Sequence, residues 1–224
     1  MPAMRSVLAA LLLLPGLAVA AMPCEGEGDP FVAAPGFGAA TPLPTPAALA
    51  LARQGDGVLV LQGDREPIRL ADSAACARGL DDPDCVTHRL VAVFDAPRGY
   101  LVQRQHYEHA DFLWVDRAHG AMESLADQPR FSPELRWMIS VSASDYMALN
   151  GIEVFDLSRD GLVRAWQHLP RGAPERFTFF TFWRWTGEEE AMLCAWRGAP
   201  PAMTGPEPVM LRRGEFGWRV EPLP

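Results

Sequence analysis

From Val58 onward the chain is a succession of short apolar runs separated by turn-forming residues: 58–61, 90–94, 100–107, 112–115, 137–141, 152–157, 162–166, 177–185, 191–196, 209–211 and 218–220. Val, Ile, Phe, Tyr and Trp dominate them, the residue types that suit a pleated, half-buried surface. Gly63-Asp64, His119-Gly120, Asp160-Gly161 and Gly187-Glu188 fall between runs as hairpin turns. No long segment repeats its apolar positions at helical spacing. Only Ala47-Ala48-Leu49-Ala50-Leu51-Ala52-Arg53 collects good helix formers, enough for a turn or two before Gly55 and Gly57 stop it. Upstream, Pro30, Pro35, Pro42, Pro44 and Pro46 remove backbone donors and hold the chain extended. The pattern predicts an all-β, antiparallel domain of small sheets over residues 55–224, entered through an extended, Pro-rich lead-in over 22–54.

A repeat emerges when the runs are overlaid. Phe131-Ser132-Pro133 matches Phe94-Asp95-Ala96-Pro97, and Trp137-Met138-Ile139 follows as Tyr100-Leu101-Val102 does. Ile152-Glu153-Val154-Phe155-Asp156 overlays Phe112-Leu113-Trp114-Val115-Asp116, and the turn glycines Gly120 and Gly161 lie 41 apart. A third unit begins near Phe177 with 191–196 as its second strand, and a weaker one occupies 55–70. Phe131-Ser132-Pro133-Glu134-Leu135-Arg136 resembles the F-S-P-D-G-K opening of blades in TolB-like and WD40-like β-propellers. Asn150-Gly151-Ile152-Glu153-Val154-Phe155-Asp156-Leu157 resembles their G-I-x-V-F-D-L strand. The resemblance covers one unit and implies a propeller-like construction of about four small sheets, open or incomplete. Glu134-Leu135 stands where such blades carry Asp-Gly. Propellers host receptors, scaffolds and enzymes, so the resemblance implies no activity.

At the N-terminus, Arg5, the apolar run 7–14, the Pro15-Gly16 break and Ala18-Val19-Ala20 have the order of a secretory signal peptide over 1–21. The run is shorter than the roughly 20 residues of a membrane span, so no stable membrane insertion is expected after cleavage. All 20 basic residues are Arg, against 28 acids and a net charge of −8. An acidic surface does not attract phosphate backbones, so no nucleic-acid partner is expected. The Arg, Ala, Pro and Leu bias fits a GC-rich bacterial genome, which makes the expected destination periplasmic or secreted.

In such a compartment four cysteines imply two disulfides. Cys76 and Cys85 bracket a turn-rich loop and are expected to pair, leaving Cys24 for Cys194.

Candidate chemistry is thin. His106-Tyr107-Glu108-His109-Ala110-Asp111 is the densest cluster of metal-ligand types. A strand would point the two imidazoles to opposite faces, and a solvated polar turn is the expectation. Ser142-Ala143-Ser144-Asp145 lacks a nucleophile elbow, and Glu188-Glu189-Glu190 reads as a solvated hairpin tip. In Phe182-Trp183-Arg184-Trp185 strict alternation would put both Trp on one face. The connection 143–150 is longer than a usual hairpin and carries Asp145, Tyr146 and Asn150, the expected binding residues. No catalytic residue, metal ligand or cofactor is assigned. The expected function is a non-catalytic binding or interaction module of the bacterial envelope, its partner a protein or another envelope component. A periplasmic hydrolase of glycan or peptide and an inhibitor of an envelope-degrading enzyme are the alternatives.

Overall fold

The computed structural model describes Cys24, Pro30 and residues 51–144, 150–159, 161–170 and 176–223. The first sheet holds β1 (Ala52–Gly55), β2 (Val58–Leu61) and β3 (Ile68–Ala71), followed by a short 3-10 turn, Ala74–Arg78. The second holds β4 (Thr87–Asp95), β5 (Arg98–Gln105), β6 (Ala110–Asp116) and β7 (Met122–Leu125). β8 (Arg130–Phe131), β9 (Trp137–Ser142), β10 (Gly151–Arg159) and β11 (Gly161–His168) make the third. The fourth comprises β12 (Phe179–Gly187), β13 (Glu190–Arg197), β14 (Thr204–Gly214) and β15 (Gly217–Pro222). Strands lie in chain order within every sheet and none of the four sheets closes on itself. The fold is all-β, built of four small antiparallel meanders.

The first strand departs from expectation. Ala52 and Arg53 belong to β1 rather than to a helical turn, because Asp56 and Gly57 take φ of 53° and 70° and reverse the chain into β2. Asp-Gly with both φ positive is the tight turn whose twist matches a hairpin.

Side-chain alternation stacks the sheets face to face. In β5, Tyr100 and Val102 point to the first sheet, where they pack with Leu59, Leu61, Ile68 and Leu70. Leu101 points the other way, joining Phe112, Trp114 and Leu125 against Met138 and Phe155 of the third sheet. Trp137, Ile139, Val141, Ile152 and Val154 then face Phe180, Leu193, Ala195, Val209 and Leu211 of the fourth. The second and third sheets thus each have one face on the preceding sheet and one on the following sheet, burial that a small sheet alone could not achieve.

This stacking corrects the repeat by one residue in one strand. Trp114 and Val154 are equivalent and both face the next sheet, in line with the β6/β10 overlay. Their cross-strand partners are Leu101 and Ile139, and two residues along Gly99 pairs with Asp116 as Trp137 pairs with Asp156. Trp137 is therefore the counterpart of Gly99, not of Tyr100. The residues exchange bulk between sheets: the Trp114 indole lies where a Gly99 Cβ would stand, whereas the third sheet carries its indole at Trp137 and a small Val154 diagonally across from it.

A second correction concerns β12. A bulge between Phe182 and Arg184 breaks the alternation, so Trp185 turns inward beside Phe182 while Trp183 packs on the outer face. Arg184 lies over the Trp183 ring, 4.4 Å from its centroid.

Both disulfides form as expected, Cys76–Cys85 and Cys24–Cys194. The second fixes the N-terminal segment to the outer face of the fourth sheet, where Cys24 and Cys194 pack with Phe179 and Trp196.

Candidate functional site

Successive turns of an antiparallel meander alternate between the two ends of the stack. The connections 106–109 and 198–203 share one end with Ala143 and Asn150; 96–97, 117–121, 132–136, 188–189 and 215–216 share the other.

Of the expected binding residues, Asp145 and Tyr146 lie outside the described residues. Asn150 is described, and its Nδ2 donates to the Thr178 carbonyl at 2.9 Å. That bond ties the end of the loop to the entry of β12. Next to it opens a cavity of about 250 Å³ lined by His168, Arg176, Phe177, Phe180, Val220 and Pro222. Its floor is aromatic and aliphatic; the polar groups, His168 and Arg176, stand at its margin. Phe177 and Phe180 are buried core residues, so the floor is rigid. The sequence pointed to the loop but not to the cavity, whose walls come from three separate strand ends.

Other sequence candidates resolve differently. His106 and His109 face each other instead of diverging, their rings parallel and 4.3 Å apart, because His106 N–H donates to the His109 carbonyl and closes the hairpin between β5 and β6. Asp111 pairs mainly with Arg104, at 2.7 Å. No group of three His, Cys, Asp or Glu able to hold a metal occurs among the described residues. Ser142 is buried at the end of β9 and pairs across the sheet with Gly151.

The glutamate run is not a free solvated tip. Glu188 accepts hydrogen bonds from Ser132 Oγ at 2.5 Å, Glu134 N at 2.7 Å and Arg136 N at 3.1 Å. Glu189 pairs with Arg213, and Glu190 with Arg212, each at 2.6 Å. Ser132 Oγ in turn accepts from Trp137 N, so Glu188 organises the turn that opens the third sheet. Leu135 there adopts φ 59°, the conformation an Asp-Gly turn gives to glycine.

Among the carboxylates, Glu153 has the most unusual surroundings. Its side chain is 3% exposed, 3.2 Å from Arg164 Nε and 3.2 Å from Gln167 Nε2. Burial between the second and third sheets pushes its carboxyl pKa up, and the Arg164 guanidinium opposes that shift. Arg164 also bonds Glu123 across the sheet interface. Glu153 lines neither this cavity nor the polar one between the β2–β3 and β6–β7 turns, so its role is to join sheets.

No known protein family, characterised protein or solved structure matches this chain. What the residues themselves establish is an environment: two disulfides with no free cysteine among the described residues belong to an oxidising, extracellular-type compartment. No helix among the described residues is long and apolar enough to cross a membrane.

Proposed function

We propose that this chain is an exported, non-catalytic binding module of a bacterial envelope, propeller-like and open in construction, recognising a protein or another envelope component. The observation that carries the reading is the apolar cavity beside Asn150, which bonds Thr178, next to Phe177. A pre-formed aromatic floor with a few polar groups at its margin suits one apolar anchor side chain from a partner, the element that dominates most protein interfaces. The disulfides support the compartment, since they persist only under oxidising conditions.

Pull-down from a periplasmic extract tests the reading with the parent, Asp145→Ala/Tyr146→Ala, and Pro222→Arg. Pro222 is exposed on the rim, so arginine there crowds the mouth without disturbing the core. The expected result is a partner captured by the parent and lost from both variants at unchanged melting temperature. Equal capture by all three would remove this end as the site. Reproducible turnover of cell-wall glycans or peptides by the parent would replace the reading with the hydrolase.

A further inference from the structure

At the opposite end of the stack, between the β2–β3 turn and the β6–β7 turn, lies a second cavity of about 290 Å³. Its character is the reverse of the first: Arg65, Arg69, Arg117 and His119 line it, and Glu66 is the one carboxylate among the described lining residues.

In this acidic chain most described arginines have an acidic partner: Arg98 has Asp64, Arg104 has Asp111, Arg197 has Glu207 and Arg212 has Glu190. Arg65 and Arg69 have none among the described residues. Arg117 is the more telling group. Its side chain is 11% exposed, and its one carboxylate neighbour among the described residues, Asp95 at 3.6 Å, is itself 97% exposed and so strongly solvated. Its guanidinium lies 5.6 Å from the centroid of the Tyr100 ring, and its Nε, closed off from solvent, has no hydrogen-bond partner among the described residues. A largely buried guanidinium whose counter-ion is this weak is costly unless something else balances its charge.

The two turns are also locked together before any ligand arrives. Asp64 N–H donates to the Arg117 carbonyl at 2.8 Å, and Arg98 holds the Asp64 carboxylate at 2.7 Å. His119 is oriented by Asp116, which accepts from its backbone N–H at 2.8 Å and lies 3.1 Å from its ring. Positioned donors cost less to order on binding than mobile ones.

We propose that this cavity binds a small, doubly charged oxyanion, a phosphate or phosphomonoester group, through Arg65, Arg69 and Arg117. Among the lining residues, three guanidiniums against Glu66 leave two positive charges, with Asp95 outside the lining and exposed to water, and two charges match the dianion. The planar fork of each guanidinium pairs with two oxygens at once, a geometry that suits a phosphoryl group. This site is independent of the recognition end.

Isothermal titration with inorganic phosphate and, separately, glycerol phosphate tests it, in sodium chloride at constant ionic strength. The parent is compared with Arg65→Ala/Arg69→Ala and with Arg117→Gln. The expected result is saturable one-site binding by the parent, weakened at least tenfold in both variants. Binding of phosphate alone identifies the free ion as the ligand; binding of both identifies a phosphomonoester. The double variant removes two side chains without acidic partners, so it should keep the parent's melting temperature, and it decides the matter even if Arg117→Gln folds poorly. Absence of saturable heat for both anions would overturn the proposal. Undiminished binding by the double variant would overturn it equally.

Discussion

Gly99→Ala should destabilise this protein, although an alanine in a strand is ordinarily harmless. With no positive φ to accommodate at Gly99, the substitution by itself would stabilise by about 0.4–1 kcal/mol through a less flexible unfolded chain. The new methyl, however, would stand 2.3 Å from Trp114 Cζ2, 2.7 Å from Cε2 and 2.9 Å from Cη2. Carbon atoms prefer about 3.5–4.0 Å. The indole has nowhere to retreat: it is buried, with the Phe94 ring 5.4 Å away and the Phe131 ring 5.8 Å away. Overpacking of this kind costs about 1–3 kcal/mol, which outweighs the entropic gain. The sign should change when the ring is removed. In a Trp114→Leu background, Gly99→Ala should be neutral or mildly stabilising, giving a coupling of about 1.5–3 kcal/mol between the two sites. Urea denaturation of the four proteins under oxidising conditions measures it, read from midpoints at unchanged slope. An equal cost of Gly99→Ala in both backgrounds would refute the packing argument, and with it the exchange of bulk between the Gly99/Trp114 and Trp137/Val154 positions.

Leu135→Gly should raise stability by about 0.5–1 kcal/mol, because the φ of 59° is strained for leucine and free for glycine; thermal unfolding checks this. Glu188→Ala should cost about 2–3 kcal/mol by removing a charged acceptor from three donors, and hydrogen exchange should show the amides of Glu134 and Arg136 losing protection. Glu153 binds its proton more tightly folded than unfolded. Its contribution to stability is therefore fully present at low pH and is lost as pH rises above about 4.3, the unfolded value. Glu153→Gln should flatten that part of the pH profile of the melting temperature, whereas an unchanged profile would assign the slope to other groups.

The strands were legible because each carries its own signal: an alternating or continuous run of β-branched and aromatic residues bounded by turn formers. The disulfides were legible for a similar reason, since a nine-residue separation between Cys76 and Cys85 left one other pairing. What the chain hid were relations between distant segments. Trp183 and Trp185 part company because a bulge inserts one residue against β13, and nothing local in Phe182-Trp183-Arg184-Trp185 announces it. Glu188 reads as a tip residue until the fourth sheet stacks on the third and brings it to Ser132, 56 positions earlier. The one-residue slip between Tyr100 and Trp137 arose from matching aromatics by type, when the true counterpart of Trp137 is a glycine. Asp56-Gly57 was the exception: a local hairpin signal overshadowed by the helix-forming composition of the residues before it. Both cavities were beyond reach for the first reason, as each joins strand ends far apart in the chain.

Four sheets stacked in an open series leave two outer faces, and the chain treats them differently. On the first sheet, the edge strand β3 alternates Ile68 and Leu70 inward with Arg69 and Ala71 exposed, so its outward positions are polar or small. The fourth sheet has an apolar outer face, with Phe179, Cys194 and Trp196 buried on it, and it needs a cover. The Cys24–Cys194 disulfide fixes Cys24 on that face across a separation of 170 residues. On the chain-entropy scale, closing so long a loop stabilises by about 5 kcal/mol, comparable to the entire stability of many domains. The same bond thus holds residue 24 on the last sheet, while Ala52 begins the first. The lead-in therefore links the two ends of the series covalently, a closure through chain and disulfide in a fold whose sheets do not close by hydrogen bonding.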